Sequence, residues 1–274
     1  MTKKQEEKIS VMREGGLFLS KIMAEAVNYA GVGLTTADLE KYIRSRFSFY
    51  GVLPSFTTVR NYQDYSCLCV NDVVVHGVPS SYVLKHNDII GIDIGVFFKG
   101  YHTDMSWSKV ILDPDSKIQD GLKQNHAFLA TGAKTLVSAI KACKAGNRIG
   151  DISSAIQANI EKNGYSGVRQ LVGHAVGKKL HEHPQIPGII TEDIQKTPEL
   201  TPGLTLAIEV IYCQGKPEIV YKNDDGWSIA TRDKSFSGLF EATVAVEDTE
   251  TEILTPIEGL LKRQFSGIID SYLT

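Results

Sequence analysis

Cysteine is scarce in this chain. The four residues, Cys67, Cys69, Cys143 and Cys213, contain no C-x-x-C pair. That spacing excludes a zinc ribbon and a thioredoxin-like motif, and free thiols suit a reducing cytosol. Cys67-Leu68-Cys69 is C-x-C on an expected strand, which turns both side chains to one face. It reads as two small core residues in preference to a metal motif. No apolar run reaches the ~18 residues of a membrane-spanning helix, and the polar opening Met1-Thr2-Lys3-Lys4-Gln5-Glu6-Glu7 is not a secretory signal. Positive charge is not in surplus either: 29 Lys and Arg stand against 32 Asp and Glu, for a net charge of −3. With no dense Lys/Arg stripe, direct nucleic-acid binding is not expected. Short repeats and low-complexity tracts are also missing.

What is present is a chain of 274 residues, near the upper size for one core and read as a single domain over 1–274. Met12, Gly16, Leu19, Met23, Ala26 and Ala30 share one helical face between about residues 8 and 30, with Gly31 as a stop. Thr35-Thr36-Ala37-Asp38 reads as an N-terminal cap for a second helix through Leu39, Tyr42, Ile43 and Phe47. From Phe56 to Val110 the pattern is β, with short β-branched runs at 73–75 and 110–112. Residues 117–143 (through Ile118, Leu122, Leu129, Leu136 and Ile140) and the stretch of Ile152, Ile156 and Ile160 predict two more helices. Strands follow, with Pro184, Pro187, Pro198 and Pro202 expected in loops. Helices, sheet, helices, sheet predicts an α+β domain of two similar halves, with helices on a curved antiparallel sheet.

Several acidic residues lie where a fold should not tolerate them alone. Asp93 interrupts Ile89–Phe98, Glu209 interrupts Leu204–Tyr212, and Glu241 interrupts Leu239–Val246. An ionised carboxylate in an apolar strand costs several kcal/mol unless it is paired or bound to a metal. With few cationic side chains nearby in sequence, shared metal ions are the better partners. Lys99-Gly100 can form a two-residue hairpin turn. In that register Phe98 faces Tyr101, Gly95 faces Asp104 and Asp93 faces Ser106, so Asp93 and Asp104 are diagonal neighbours on one face, about 7–8 Å apart at Cα. In Gly173–Pro184 the His174–His181 spacing could suit one helix face, but Gly173, Gly177 and Pro184 favour strand and turn. His174 then reads as a nitrogen ligand, His181 as a substrate contact and His183 as a bystander. His76, at the end of an apolar run, reads equally as structural or functional. Four carboxylates and one imidazole suit divalent Mn, Fe, Co or Zn, as a dinuclear centre for metal-assisted hydrolysis.

In these motifs the chain resembles the type I methionine aminopeptidases of the creatinase/aminopeptidase "pita-bread" family. The matching stretches are 71–79, Asp93 with Asp104, 173–184, Ile208-Glu209, 226–235 and 237–244. The resemblance implies removal of N-terminal methionine from nascent proteins, in the cytoplasm, by a monomer. It implies that Asp93 chelates one metal, His174 and Glu209 the other, and Asp104 and Glu241 bridge them. Glu209 would also shuttle the water's proton, His181 would hydrogen-bond the scissile carbonyl and its oxyanion, and His76 would contact the scissile amide nitrogen or help proton transfer. Tyr62, Cys67, Trp227 and His76 would form the methionine pocket, and Asn71 would contribute to a monovalent-cation site. Any ribosome contact would use the catalytic domain. Four positions depart from the pattern: Phe56 for a cysteine, Val59 for a tyrosine, Leu180 for a phenylalanine and Ala242 for a histidine. They are expected at the pocket or beside the metals and weaken strict methionine selectivity. The alternatives are an Xaa-Pro peptidase, whose family usually carries a large N-terminal domain, and a non-catalytic peptide- or ribosome-binding relative.

Overall fold

The structure, a computed structural model, describes residues 1–116 and 121–265. The first half contains α1 (Lys3–Tyr29), α2 (Thr36–Tyr50), β1 (Leu53–Pro54), β2 (Ser66–Val70), β3 (Val73–Val75), β4 (Ile89–Phe98) and β5 (Tyr101–Val110). The second contains α3 (Leu122–Ala142), α4 (Ile149–Lys162), β6 (Ser166–Gly167), β7 (Val172–Ala175), β8 (Glu182–Pro187), β9 (Thr205–Cys213), β10 (Ile219–Tyr221), β11 (Ile229–Thr231), β12 (Ser237–Val246), β13 (Thr251–Ile253) and α5 (Glu258–Phe265). Two helices followed by strands thus occur twice. α1 packs on β4 and β5, and α3 packs on β9 and β12. This is an α+β architecture of helices on antiparallel strands, in two halves, as the order of elements predicts. Among the described residues no helix is long and apolar enough to cross a membrane.

Local chemistry explains the helix ends. α1 begins earlier than the apolar periodicity predicts, because Thr2 and Gln5 form a capping box. Its expected face is buried, and Gly16 is required there: a Cβ would lie 2.0 Å from the Leu254 carbonyl oxygen. The Thr35–Asp38 box starts α2 as predicted, with Asp38 N donating to Thr35 Oγ1 at 3.0 Å. The expected start of the third helix at 117–120, including Ile118, lies outside the described residues. α3 is seen from Leu122 onward.

The strand pairs are all antiparallel, in sheets ordered β1-β4-β2 with β5 beside β4, β10-β11-β3, and β13-β12-β9-β7-β8 with β6 beside β9. Where β5 meets β12, side-chain hydroxyls make the junction. Thr243 Oγ1 accepts from Asp104 N at 2.9 Å and donates to Asp104 O at 2.8 Å. Ser108 Oγ accepts from Leu239 N at 3.0 Å and donates to Leu239 O at 2.8 Å. One apolar cluster runs from Leu19 in α1 to Phe265 in α5 and backs both halves.

Two expectations are corrected. The 110–112 run is not all strand: β5 ends at Val110, because Ile111 N turns to the Asp88 carbonyl at 2.7 Å. Pro184 and Pro187 lie in β8 and not in a loop. β8 is the end strand of its sheet, where a missing N–H costs no ladder bond.

Candidate metal centre

The β4–β5 hairpin has the register anticipated from its turn. Lys99 and Gly100 both have positive φ (46° and 88°), as a type I′ turn requires. Phe98 pairs with Tyr101, Gly95 with Asp104 and Asp93 with Ser106. On the other sheet Glu241 lies directly opposite Glu209, and His174 pairs with Ala207, two residues before Glu209 on the same strand. The β5–β12 hydroxyl junction then brings the two faces together. Asp104, His174 and Glu241 each offer a ligand atom within 4.8 Å of the other two. Glu209 Oε1 lies 3.7 Å and Asp104 Oδ2 4.0 Å from His174 Nε2. Ser106 Oγ lies 2.8 Å from Asp93 Oδ1 and 2.7 Å from Glu241 Oε2.

The electrostatics are those of a site short of positive charge. Burial pushes Asp93 up to about 7. Burial, followed by repulsion from neighbouring carboxylates, pushes Asp104, Glu209 and Glu241 well above the usual carboxylate range. Burial drives His174 down to about 4, so this imidazole is neutral and cannot balance them. Its Nδ1 lies 3.0 Å from the Ala175 carbonyl oxygen. A carbonyl only accepts, so Nδ1 carries the proton and Nε2 presents a lone pair to the carboxylates. Glu241 Oε1 is buried without a hydrogen-bond partner among the described residues. An orphaned carboxylate oxygen, converging oxygens and a free imidazole lone pair fit a divalent cation of the Mn, Fe, Co or Zn group.

An apolar cavity of about 140 Å³ opens onto this cluster. Phe56, Tyr62, Cys67 and Leu180 form its buried wall, with Val59, Val78 and Trp227 packed against them. Tyr62 and Trp227 meet edge to face at 5.1 Å. Its volume suits one side chain; drug-sized sites run to ~300–1,000 Å³. His76 and His181 stand at the mouth, each with solvent on one side. The His181 ring lies 4.5 Å from that of His174, and the His76 ring 6.5 Å from that of Trp227. Partial desolvation lowers both imidazoles below their usual value, and each is neutral at pH 7. His76 has φ 57°, a left-handed conformation uncommon for a non-glycine residue. A larger cleft, of about 500 Å³ between Val27, Lys109, His126 and Phe265, has none of the cluster's carboxylates.

Residues 10–249 match the metallopeptidase family M24. The chain belongs to this family. It is 35% identical over 254 residues to methionine aminopeptidase 1 of Bacillus subtilis, covering 93% of this chain and 98% of that protein. The crystal structure of methionine aminopeptidase from Thermotoga maritima superposes with a TM-score of 0.84 at 32% identity, covering 91% of this chain and 96% of that one. A prolidase from Pyrococcus horikoshii has a TM-score of 0.70 at 18% identity and shares the fold; this chain spans 62% of its length. The M24 likeness brings with it the use of divalent metal.

Not every expected residue sits where sequence reasoning put it. Ala242 faces away from the site, into the core beside Ile208, because strand residues alternate faces and Glu241 takes the inner one. Cys67 lies opposite Asp93 in the β2–β4 register and lines the cavity, whereas Cys69 does not; burial raises both thiols. Asn71 is engaged within the protein: Nδ2 donates to Asp88 Oδ1 and Oδ1 accepts from Ile89 N, each at 2.9 Å. His183 is exposed and not among the cavity residues. Thr243 and Val75 were not anticipated. Val75 lines the cavity simply as the residue before His76, while Thr243 gains its role from a strand more than 130 residues away.

Proposed function

We propose that this chain is a metal-dependent aminopeptidase that removes the N-terminal methionine from peptides and nascent proteins, with residues 1–274 acting as one catalytic domain. The observation that carries the reading is a cavity sized for one apolar side chain that ends on an acid–imidazole cluster. Asp93 would hold one divalent ion, His174 and Glu209 a second, and Asp104 and Glu241 both. When bound, these ions supply Lewis acidity that lowers the pKa of water and polarises the scissile carbonyl. Glu209 would take the proton of the attacking water and pass it to the leaving amine, the general acid–base role open to a carboxylate beside the reacting atoms. His181, neutral and at the mouth, donates to the carbonyl oxygen as it gains charge, and His76 contacts the scissile amide nitrogen. Phe56, Tyr62, Cys67, Leu180 and Trp227 receive the methionine side chain. The substrate's free amine then meets the acidic end of the cavity, which restricts attack to the chain terminus. The same reading includes a monovalent cation near Asn71, a monomer, a cytosolic setting and ribosome contact through the catalytic domain.

The test is hydrolysis of Met-Ala-Ser, Leu-Ala-Ser and Ala-Pro-Ser after loading with cobalt, manganese or iron. Selective release of methionine is expected. Preference for Ala-Pro-Ser moves the chain to the Xaa-Pro branch that shares its fold, and absence of turnover with metal bound leaves a binding relative. A second expectation isolates one residue. His181→Ala should lower kcat by about 10²–10³-fold, the loss seen when one donor to a developing oxyanion is removed, with KM changed far less. A loss confined to KM would assign His181 to ground-state binding.

A further inference from the structure

We propose that Ser106 is a positioning residue that fastens the carboxylate of Asp93, from the first half of the chain, to that of Glu241, from the second. The inference rests on reading those carboxylates as metal ligands. Ser106 is fully buried and lies opposite Asp93 in the β4–β5 register. Its hydroxyl reaches Asp93 Oδ1 at 2.8 Å and Glu241 Oε2 at 2.7 Å. The hydroxyls on either side have a different task. The Thr243–Asp104 and Ser108–Leu239 contacts join β5 to β12 through backbone groups, and Ser106 falls between them, opposite Glu241. The strand junction is therefore complete without Ser106, and its hydroxyl is left for the two side chains. A hydroxyl has one proton, so it serves one of the two carboxylate oxygens at a time and holds both at hydrogen-bonding distance. Its contact with Glu241 is to Oε2, while Oε1 is buried without a hydrogen-bond partner among the described residues. One small group thus ties the two halves together at the point where their acids converge and selects which oxygen each presents. Alanine in its place would leave the strands joined and the carboxylates free to rotate.

Cobalt(II) binding to the purified full chain tests this, by titration calorimetry and by the visible absorption of the bound ion. Ser106→Ala should weaken cobalt binding roughly 10–100-fold, the usual loss when a group supporting a metal ligand is removed, and should shift the cobalt spectrum. Ser106→Thr, which keeps the hydroxyl, should restore both. Ser108→Ala supplies the control: it removes a hydroxyl of the same seam that touches no carboxylate, and should lower the melting temperature while leaving cobalt affinity and spectrum unchanged. Folding of each variant is followed by circular dichroism. Wild-type affinity and spectrum in Ser106→Ala overturn the proposal, as does an equal loss in Ser108→Ala, which would make the effect one of strand joining. Failure of the unmodified protein to bind cobalt overturns instead the metal reading beneath it.

Discussion

Replacing Asp104 with Asn should reduce peptide hydrolysis by about 10³-fold or more, while the metal-free protein becomes more stable at neutral pH. The loss of activity is estimated as at least that of removing a single electrostatic donor from a reaction centre, because the proposed role of Asp104 is to serve both cations. The gain in stability follows from electrostatics. Asp104 is held well above the usual carboxylate range by burial, then by Glu241 and Asp93; an amide of the same shape spares the metal-free protein the cost of burying that charge or of taking up a proton on folding. The fold should survive because Thr243 grips the backbone of Asp104 and not its side chain. Steady-state kinetics and thermal melts of the chelated protein, run on both forms, check the two halves of this prediction. An active Asp104→Asn enzyme with its full complement of metal would sink the assignment of Asp104 as a shared ligand.

Chelation should have an equally large effect, and its signature is the pH dependence of stability. Activity is expected to fall to background and return with added metal. In the metal-free protein Asp93 titrates near 7, above the ordinary aspartate value of about 3.9. Between about pH 4 and 7 the folded form therefore holds a proton that the unfolded form has lost. Stability is fully present below the unfolded value and declines as pH rises through the folded one, by up to about 1.4 kcal/mol per pH unit for each such proton. Asp104, Glu209 and Glu241 are displaced in the same direction and add to the decline. Bound metal favours the ionised carboxylates, so the loaded protein should lack this decline. Urea unfolding from pH 5 to 8, with and without metal, distinguishes the cases. The lowered imidazoles of His174, His76 and His181 add a rise below about pH 6.5; a metal-free protein whose stability is still flat or rising once that rise is subtracted would show that the carboxylates are not desolvated together.

The pocket chemistry puts the departures from the family pattern in order. Phe56, Val59 and Leu180 all line the cavity, so they act directly on which side chain fits. Ala242 does not, since it points into the core beside Ile208. Changes in selectivity are therefore expected from the first three positions, and changes in packing from the fourth.

Much of this was legible in the order of residues. Acids inside apolar strands required partners that the nearby sequence did not contain, and the Lys99-Gly100 turn fixed the pairing of Asp93 with Ser106 because hairpin register follows turn geometry. Capping boxes at Thr35 and Thr2 are equally local, and the one at Thr2 starts the first helix earlier than its apolar stripe suggests. Folding alone decided the convergence of the two halves. Thr243 meets Asp104, and Ser106 meets Glu241, across 139 and 135 residues of chain, a distance over which neither periodicity nor propensity carries information. The same is true of Pro184, whose place in β8 is acceptable only because that strand ends its sheet. Local sequence determined which groups needed a shared cation. Tertiary structure determined which oxygens could reach one, because that depends on how two separately formed hairpins pack and on the hydroxyls that hold them together.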